Sequence, residues 1–308
     1  MNDFLRLSPE VGEALRSGTP VITFESTIIS HGMPWPRNLE TARAAEARAR
    51  DHGAVPATVA VMDGRILIGL DEGELERLAT EKDVLKVSRR DLSWALADRK
   101  TGATTVSATM WAARMAGIDV FATGGIGGVH RGAPDTFDIS ADLAELASTS
   151  VCVVSAGAKS ILDLPKTLEV LETLGVPVLG FRTSEFPAFY SRSSGLPIAL
   201  RVDSAEQIAR IIRAQRSLGA PQGVLVANPV PGDAEIPRDL IDAWMRTALR
   251  DLDTQGIRGK GVTPFLLSRI VELSGGAALE TNVKLFHNNV SLGCEIAAAM
   301  VSQGSGST

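Results

Sequence analysis

Residues 57–70 read ATVAVMDGRILIGL, two apolar runs separated by Asp63-Gly64. Val and Ile favour strands, and Asp-Gly suits the tight type I′ turn, where both residues take positive φ. The stretch therefore predicts an antiparallel hairpin. The rest of the chain is patterned differently. Short apolar runs at residues 20–24, 84–87, 118–123, 150–157, 177–181 and 223–230 alternate with helical runs at 38–52, 72–80, 105–115, 140–147, 164–174 and 205–218. Strands of this kind, each leading through a loop to a helix, imply a mostly parallel sheet with helices on both faces. Asn38 is the expected N-cap of the helix at 38–52, and further helices are expected near 236–252, 263–274 and 279–301. With the hairpin added, the expectation is a three-layer α/β/α fold with a central mixed, mostly parallel sheet. A (β/α)8 barrel fits less well, because the hairpin and the helical C-terminal region break its pattern. No internal repeat, low-complexity tract or linker is visible. Residues 1–301 are expected to form a single domain, followed by a short disordered polar tail at 302–308.

The 308-residue chain has a formal net charge of −5, with 44% hydrophobic and 22% charged residues. A mildly acidic chain without a basic stripe argues against binding long nucleic acids, whereas a small phosphorylated ligand needs only a local pocket. Cys152 and Cys294 are far apart and outside any CxxC spacing. That argues against a disulfide scaffold or a structural zinc site and fits a reducing cytoplasm. No apolar run approaches the ~20 residues of a membrane helix. The first residues, which include Asp3, Glu10 and Glu13, do not read as a secretory signal.

In open α/β sheets, ligands sit beyond the carboxyl ends of the parallel strands. Chemistry is therefore expected at residues 25–27, 86, 123–128, 155–159 and 227–231. The segment 122–143, ATGGIGGVHRGAPDTFDISADL, joins a run of glycines to Asp135, Asp138 and Asp142. It is not a dinucleotide fingerprint, since the third glycine position counted from Gly125 falls on His130. SAGAKS at 155–160 is not a Walker loop, since Ala158 precedes Lys159. Two readings remain for the glycines: bare N–H groups approaching an anion, or a tight turn needing positive φ.

Lys159 lies between VCVVSAG and SILDL. It is either a desolvated amine suited to Schiff-base chemistry or a helix-start lysine with its head in water. Glu25 ends a strand, with Ser26, Thr27 and His31 behind it, and reads as a general acid or base or as a cap. Ser140 is the expected N-cap of the next helix, which puts Asp142 in its first turn. Asp138 precedes that cap and would suit a hard divalent ion that keeps several waters. Lys86 points to the same strand-end face, and Arg89 and Arg90 read as solvated surface arginines. Thr104-Thr105 opens a helix, where N–H groups and hydroxyls favour an anion. Asn282 and Asn289, seven apart on the last helix, share a face and read as buried polar contacts or as amides facing water.

Taken together, seven segments resemble one family: ESTIISHGMPWPRNLETA (25–42), GAVPATVAVMDGRILIGL (53–70), KVSRRDL (86–92), GATTVSATMWAA (102–113), FATGGIGGVHRGAPDTFDISADL (121–143), VVSAGAKSILDL (153–164) and NNVSLGCEIA (288–297). They resemble the pseudouridine-5′-phosphate glycosidases, a family that includes the indigoidine-synthase A type proteins. The resemblance implies a role in nucleotide catabolism, the reversible cleavage of the carbon–carbon glycosidic bond of pseudouridine 5′-phosphate to uracil and ribose 5-phosphate. It further implies one divalent ion per subunit, typically manganese (Mn2+), and a homotrimer. By position, Lys159 matches the family's nucleophile, Glu25 its general acid/base and Asp138 its metal ligand. Ser140, Ala141 and Asp142 match a substrate-contact segment, and Lys86 and Val106 match substrate-binding positions. His130 and an asparagine of the last helix, Asn282 or Asn289, also belong in the implied pocket, and the backbone at Thr105 and Val106 is expected to hold the phosphate with Lys86. A C-glycoside cannot leave by protonation of a heteroatom, as ordinary glycosides do. A ring-opened lysine imine provides another route. Two rivals are a Schiff-base lyase or aldolase acting on another sugar phosphate, and a non-catalytic sugar-phosphate-binding accessory protein.

Overall fold

Asp63 and Gly64 take φ of 52° and 81°, and Met62 pairs with Arg65 across them, so the hairpin forms as the sequence predicts. The computed structural model describes residues 3–258 and 261–302. Its strands are β1 (Leu5–Leu7), β2 (Val21–Phe24), β3 (Val55–Met62), β4 (Arg65–Ile68), β5 (Leu85–Val87), β6 (Gly102–Thr104), β7 (Val120–Ala122), β8 (Cys152–Ser155), β9 (Val178–Phe181), β10 (Leu200–Val202) and β11 (Val224–Ala227). Its α-helices are α1 (Pro9–Ser17), α2 (Thr27–Ser30), α3 (Arg37–Asp51), α4 (Glu72–Thr80), α5 (Leu92–Ala97), α6 (Val106–Ala116), α7 (Ala133–Thr136), α8 (Ala141–Ser148), α9 (Leu164–Thr173), α10 (Ala205–Ser217), α11 (Arg238–Thr254), α12 (Val262–Leu273) and α13 (Ala277–Ser302).

The sheet runs β1-β4-β3-β2-β7-β8-β11-β9-β10, with β6 beside β3 and β5 beside β6. β3 changes neighbours along its length. Val55–Thr58 pair in parallel with β2, while Ala60 and Val61 pair antiparallel with β6. β3 is also antiparallel to β4, and the remaining pairings between these strands are parallel. The result is an α/β fold with a mixed, mostly parallel central sheet. Every residue of β2, β7, β8 and β11 is buried, which is why these strands read as continuous apolar runs rather than alternating ones.

α13 packs across β2, β7 and β8, and α6 covers β2, β3 and β7 from the opposite face. A Cβ at Gly293 would lie 2.5 Å from Ile22 Cδ1, so any side chain there would have to push the Ile22 methyl aside for α13 to sit this close to β2. Among the described residues no single helix is long and apolar enough to cross a membrane.

Two local expectations change. Asn38 is not an N-cap: α3 begins at Arg37, and the buried Asn38 amide donates to the Ile29 and Ala79 carbonyls at 2.9 and 3.0 Å. Its side chain ties α3 to α2 and α4 instead of closing its own helix. Ser302 ends α13 instead of starting a tail, and the rest of the expected tail, 303–308, lies outside the described residues.

Candidate active site

The parallel strands β2, β7 and β8 lead to Glu25, Thr123 and Lys159, and β5 and β6, which run the opposite way, bring Lys86 and Thr105 to meet them. There they line a polar cleft with an apolar compartment beside it. Glu25, Thr27, Lys86, Lys159 and Thr263 border both spaces.

Glu25 leaves the end of β2 almost wholly buried, at 5% exposure. The Thr27 hydroxyl donates to one of its carboxylate oxygens and the Thr123 hydroxyl to the other. Ser26 secures the turn, since its hydroxyl donates to the Val59 carbonyl and accepts from the Thr104 amide. Glu25 is thus an oriented carboxylate with one edge toward both compartments, not a helix cap.

Of the glycines in the segment, Gly132 takes the positive φ expected of a tight turn, at 82°, and the four before it do not. Gly124, Gly125, Gly127 and Gly128 are not in the positive-φ region, so no left-handed turn requires them. Close approach does. A Cβ at Gly127 would fall 2.2 Å from Ser140 Oγ, one at Gly128 2.4 Å from Thr167 Oγ1, and one at Gly125 2.6 Å from the Phe189 ring. Nor is the Gly127 N–H available to an anion, because it donates to Asp142 Oδ2 at 2.8 Å. Past β7 and β8 the chain stays laced together. Ile126 N donates to the Gly157 carbonyl and Lys159 N to the Ile126 carbonyl, while His130 N donates to the Asp138 carbonyl and Asp163 N to the Val129 carbonyl. This lattice fixes the backbone at Lys159 and brings His130 and Asp138 beside it.

Asp142 is buried at 5% exposure. Its second oxygen accepts from Ser107 N at 2.9 Å, near the start of α6. The carboxylate therefore joins the glycine segment to the first turn of α6, while the Ser140 hydroxyl accepts from Asp142 N as the expected cap. Ser140, Ala141 and Asp142 line the polar cleft, as do Thr105 and Val106. Lys86, Ser88 and Arg90 face the same space. Arg90 does so from the rim, its side chain 75% exposed and solvated as the sequence suggests. Arg89 is not a free surface arginine, since its guanidinium grips both oxygens of the buried Glu145 at 2.9 and 3.0 Å.

His130 Nδ1 lies 3.9 Å from Asp138 Oδ2. Burial lowers the His130 pKa first; Asp138 opposes this, and the positive Lys86 and Lys159 lower it further. The ring therefore favours its neutral form near two lysines. Asp138 is half-exposed in the polar cleft. Among the described residues no three His, Cys, Asp or Glu side chains gather into a chelating set. One carboxylate open to solvent fits a hard, oxygen-seeking divalent ion that retains most of its waters. It does not fit an ion that needs a cage of nitrogen and sulfur ligands.

The two asparagines part company. Asn282 lines the apolar compartment with Ile28, His31, Phe189, Pro264 and Leu267. Asn289 does not line either space. It is fully buried, donating to the Thr123 carbonyl at 2.8 Å and accepting from Asn228 at 3.0 Å. It braces the wall from behind. The α12 residues Thr263, Pro264 and Leu267, and Phe189 from the loop after β9, carry no chemical motif that would have marked them in the sequence. Phe189 is identifiable only by its backbone, a φ of 63° that a bulky residue rarely adopts.

The family model for indigoidine synthase A like proteins matches residues 10–299. A pseudouridine-5′-phosphate glycosidase from Jannaschia sp. is 59% identical over 296 residues, covering 96% of this chain and 98% of its own length. One from Caldanaerobacter subterraneus subsp. tengcongensis is 55% identical over 300 residues, covering 97% and 98%. Among solved structures, the prealnumycin C-glycosynthase AlnA in complex with ribulose 5-phosphate superposes with a TM-score of 0.93 at 37% identity, covering 100% of both chains. An indigoidine synthase A-like protein from Thermotoga maritima superposes with a TM-score of 0.89 at 38% identity, covering 97% of both.

Proposed function

The chain belongs to the indigoidine synthase A like family, and from that membership we propose that it is a pseudouridine-5′-phosphate glycosidase. It cleaves the carbon–carbon glycosidic bond to give uracil and ribose 5-phosphate, and runs in reverse as well. The observation that carries the reading is the joining of two unlike compartments across Glu25 and Lys159. A charged cleft suits a sugar phosphate, and an apolar compartment with an amide suits a pyrimidine ring.

The phosphate sits at the start of α6, near Thr105 and Val106, with Lys86 and Arg90 supplying positive charge. As Lys159 Nζ bonds to the anomeric carbon, the bond from that carbon to the ring oxygen breaks. Glu25 passes a proton to the departing ring oxygen, which becomes a hydroxyl, and the lysine nitrogen gives up a proton. Glu25, by then a carboxylate, takes up that proton and delivers it to the uracil carbon at the glycosidic bond. The electron pair of the carbon–carbon bond leaves with the ring, and an imine remains between the sugar and Lys159. Water adds to the imine carbon, releasing ribose 5-phosphate and the free amine. Thr27 and Thr123 keep the Glu25 oxygens aimed while the proton moves.

The decisive experiment is uracil release by the wild type and by Lys159→Ala. The variant should lose activity by at least about 10³-fold, since it removes the nucleophile. Borohydride added with ribose 5-phosphate should fix a sugar adduct on Lys159, detected by mass spectrometry. Near-wild-type turnover by the variant would end the imine reading.

Asp138 would hold a divalent ion, Mn2+ in our proposal, through a single carboxylate and otherwise water. When bound, the ion supplies positive charge that orients polar groups of the substrate. Asp138→Ala should weaken Mn2+ binding at least about tenfold, as measured by paramagnetic resonance of the free ion. Unchanged affinity would remove Asp138 as the ligand.

A further inference from the structure

His31 follows α2 and lines the apolar compartment. Its Nε2 is buried and has no hydrogen-bond partner among the described residues. The other side of the ring meets the Leu85 and Val84 carbonyls, while burial, and after it the charge of Lys86, lowers the pKa and disfavours the imidazolium. A neutral ring facing backbone carbonyls keeps its proton on the nitrogen that meets them. Nε2 is then a bare acceptor, shielded from bulk water. Leaving such an atom unpaired is costly, and folded proteins keep few of them.

The neighbouring polar groups point to what would satisfy it. Lys86 and Lys159 are donors, and Glu25 is already engaged by two threonine hydroxyls. His31 Nε2, the Asn282 carbonyl and the Thr263 hydroxyl remain as side-chain acceptors for a ring donor, and of these only His31 Nε2 is a buried atom with no partner. Uracil joined through carbon keeps both of its ring N–H groups, whereas a ring joined through nitrogen has lost one.

We propose that His31 is a specificity-determining residue, whose Nε2 accepts a hydrogen bond from a ring N–H of the nucleobase and so restricts the compartment to cyclic imides with that N–H unsubstituted. This deepens the glycosidase reading and rests on it. In free uracil the ring meets an acceptor that otherwise stays unpaired, so discrimination against a ring lacking the donor exceeds what shape alone gives.

The test compares uracil with its two deaza isosteres, in each of which one ring N–H is replaced by C–H. Each is measured as a competitor of pseudouridine 5′-phosphate cleavage by wild type, His31→Phe and His31→Gln. Wild type should bind one isostere at least about tenfold more weakly than uracil, the value of one good hydrogen bond. His31→Phe should bind uracil about as weakly as that isostere and cease to distinguish them, with the KM for ribose 5-phosphate in the reverse reaction unchanged. His31→Gln, which offers an amide oxygen at a similar reach, should recover most of the discrimination. If His31→Phe does not fold, His31→Leu takes its place, since it too removes the acceptor and carries the same expected outcome. Equal binding of all three rings by wild type, or discrimination that survives in His31→Phe, overturns the role of His31 and leaves the glycosidase reading intact. Failure of wild type to release uracil at all overturns both.

Discussion

Asp142 shows what single residues contribute here. Its two oxygens accept from Ser107 N and Gly127 N, partners 35 and 15 residues upstream. Replacing it with alanine strips two amides of a charged acceptor, at about 1.5–3 kcal/mol for a hydrogen bond to a charged group. Asp142→Ala should therefore lower stability by about 2–4 kcal/mol and the melting midpoint by roughly 3–6 °C. Asp142→Asn, which keeps one good acceptor, should fall between. Calorimetry checks this, and an unmoved midpoint in the alanine variant refutes the brace. The sequence marked Asp142 as a first-turn acid and, by resemblance, as a substrate contact, but it could not disclose partners that are backbone amides. The same limit hid the reason for the glycines. A glycine held by close packing and one held by positive φ are the same letter, and only the neighbours Ser140, Thr167 and Phe189 tell them apart. Lys159 and Glu25 were legible because a charged group at the end of an apolar strand is conspicuous by chemistry alone.

At the scale of elements, segments with an apolar run or a helical period were readable and those without were not. The hairpin declared itself through Asp63-Gly64, and the strands around the site through unbroken apolar runs. β1, β6 and β10 have three residues each and, unlike the equally short β5 and β7, no apolar run to mark them. β6 is the instructive case. GAT at 102–104 becomes a strand because β3 extends beyond the end of its pairing with β2 and offers Ala60 and Val61 as partners, a tertiary circumstance. The two asparagines of α13 show the opposite hazard. Their spacing places them correctly on one face, yet seven residues advance about 10 Å along a helix. Over that distance the face passes from the open compartment at Asn282 to the sealed core at Asn289. Periodicity gives the direction of a side chain but not what it meets.

Across the whole molecule, the histidines predict how stability varies with pH. His31, His130 and His287 all have folded-state pKa values below 6.5, with burial as the leading cause. The unfolded chain takes up these protons more readily. Stability is therefore full above the unfolded value and is lost as pH falls through the folded values. Glu46 acts in the opposite sense, because burial raises its pKa and favours the fold in acid. The three imidazoles should outweigh that one carboxyl, so the melting midpoint should drop between about pH 7 and pH 5. A flat or rising midpoint across that range would show that the rings do not stay neutral in the fold. Set against this titratable periphery is the seam where α13 meets β2. No methyl fits between Gly293 and Ile22 unless Ile22 gives way, and Asn289 ties the same helix to the Thr123 carbonyl. The helix that carries Asn282 is thereby held against β2 and β7 by the Gly293–Ile22 contact and the Asn289 hydrogen bond. An incoming ring is measured against a gauge whose width was set by leaving out a single carbon atom.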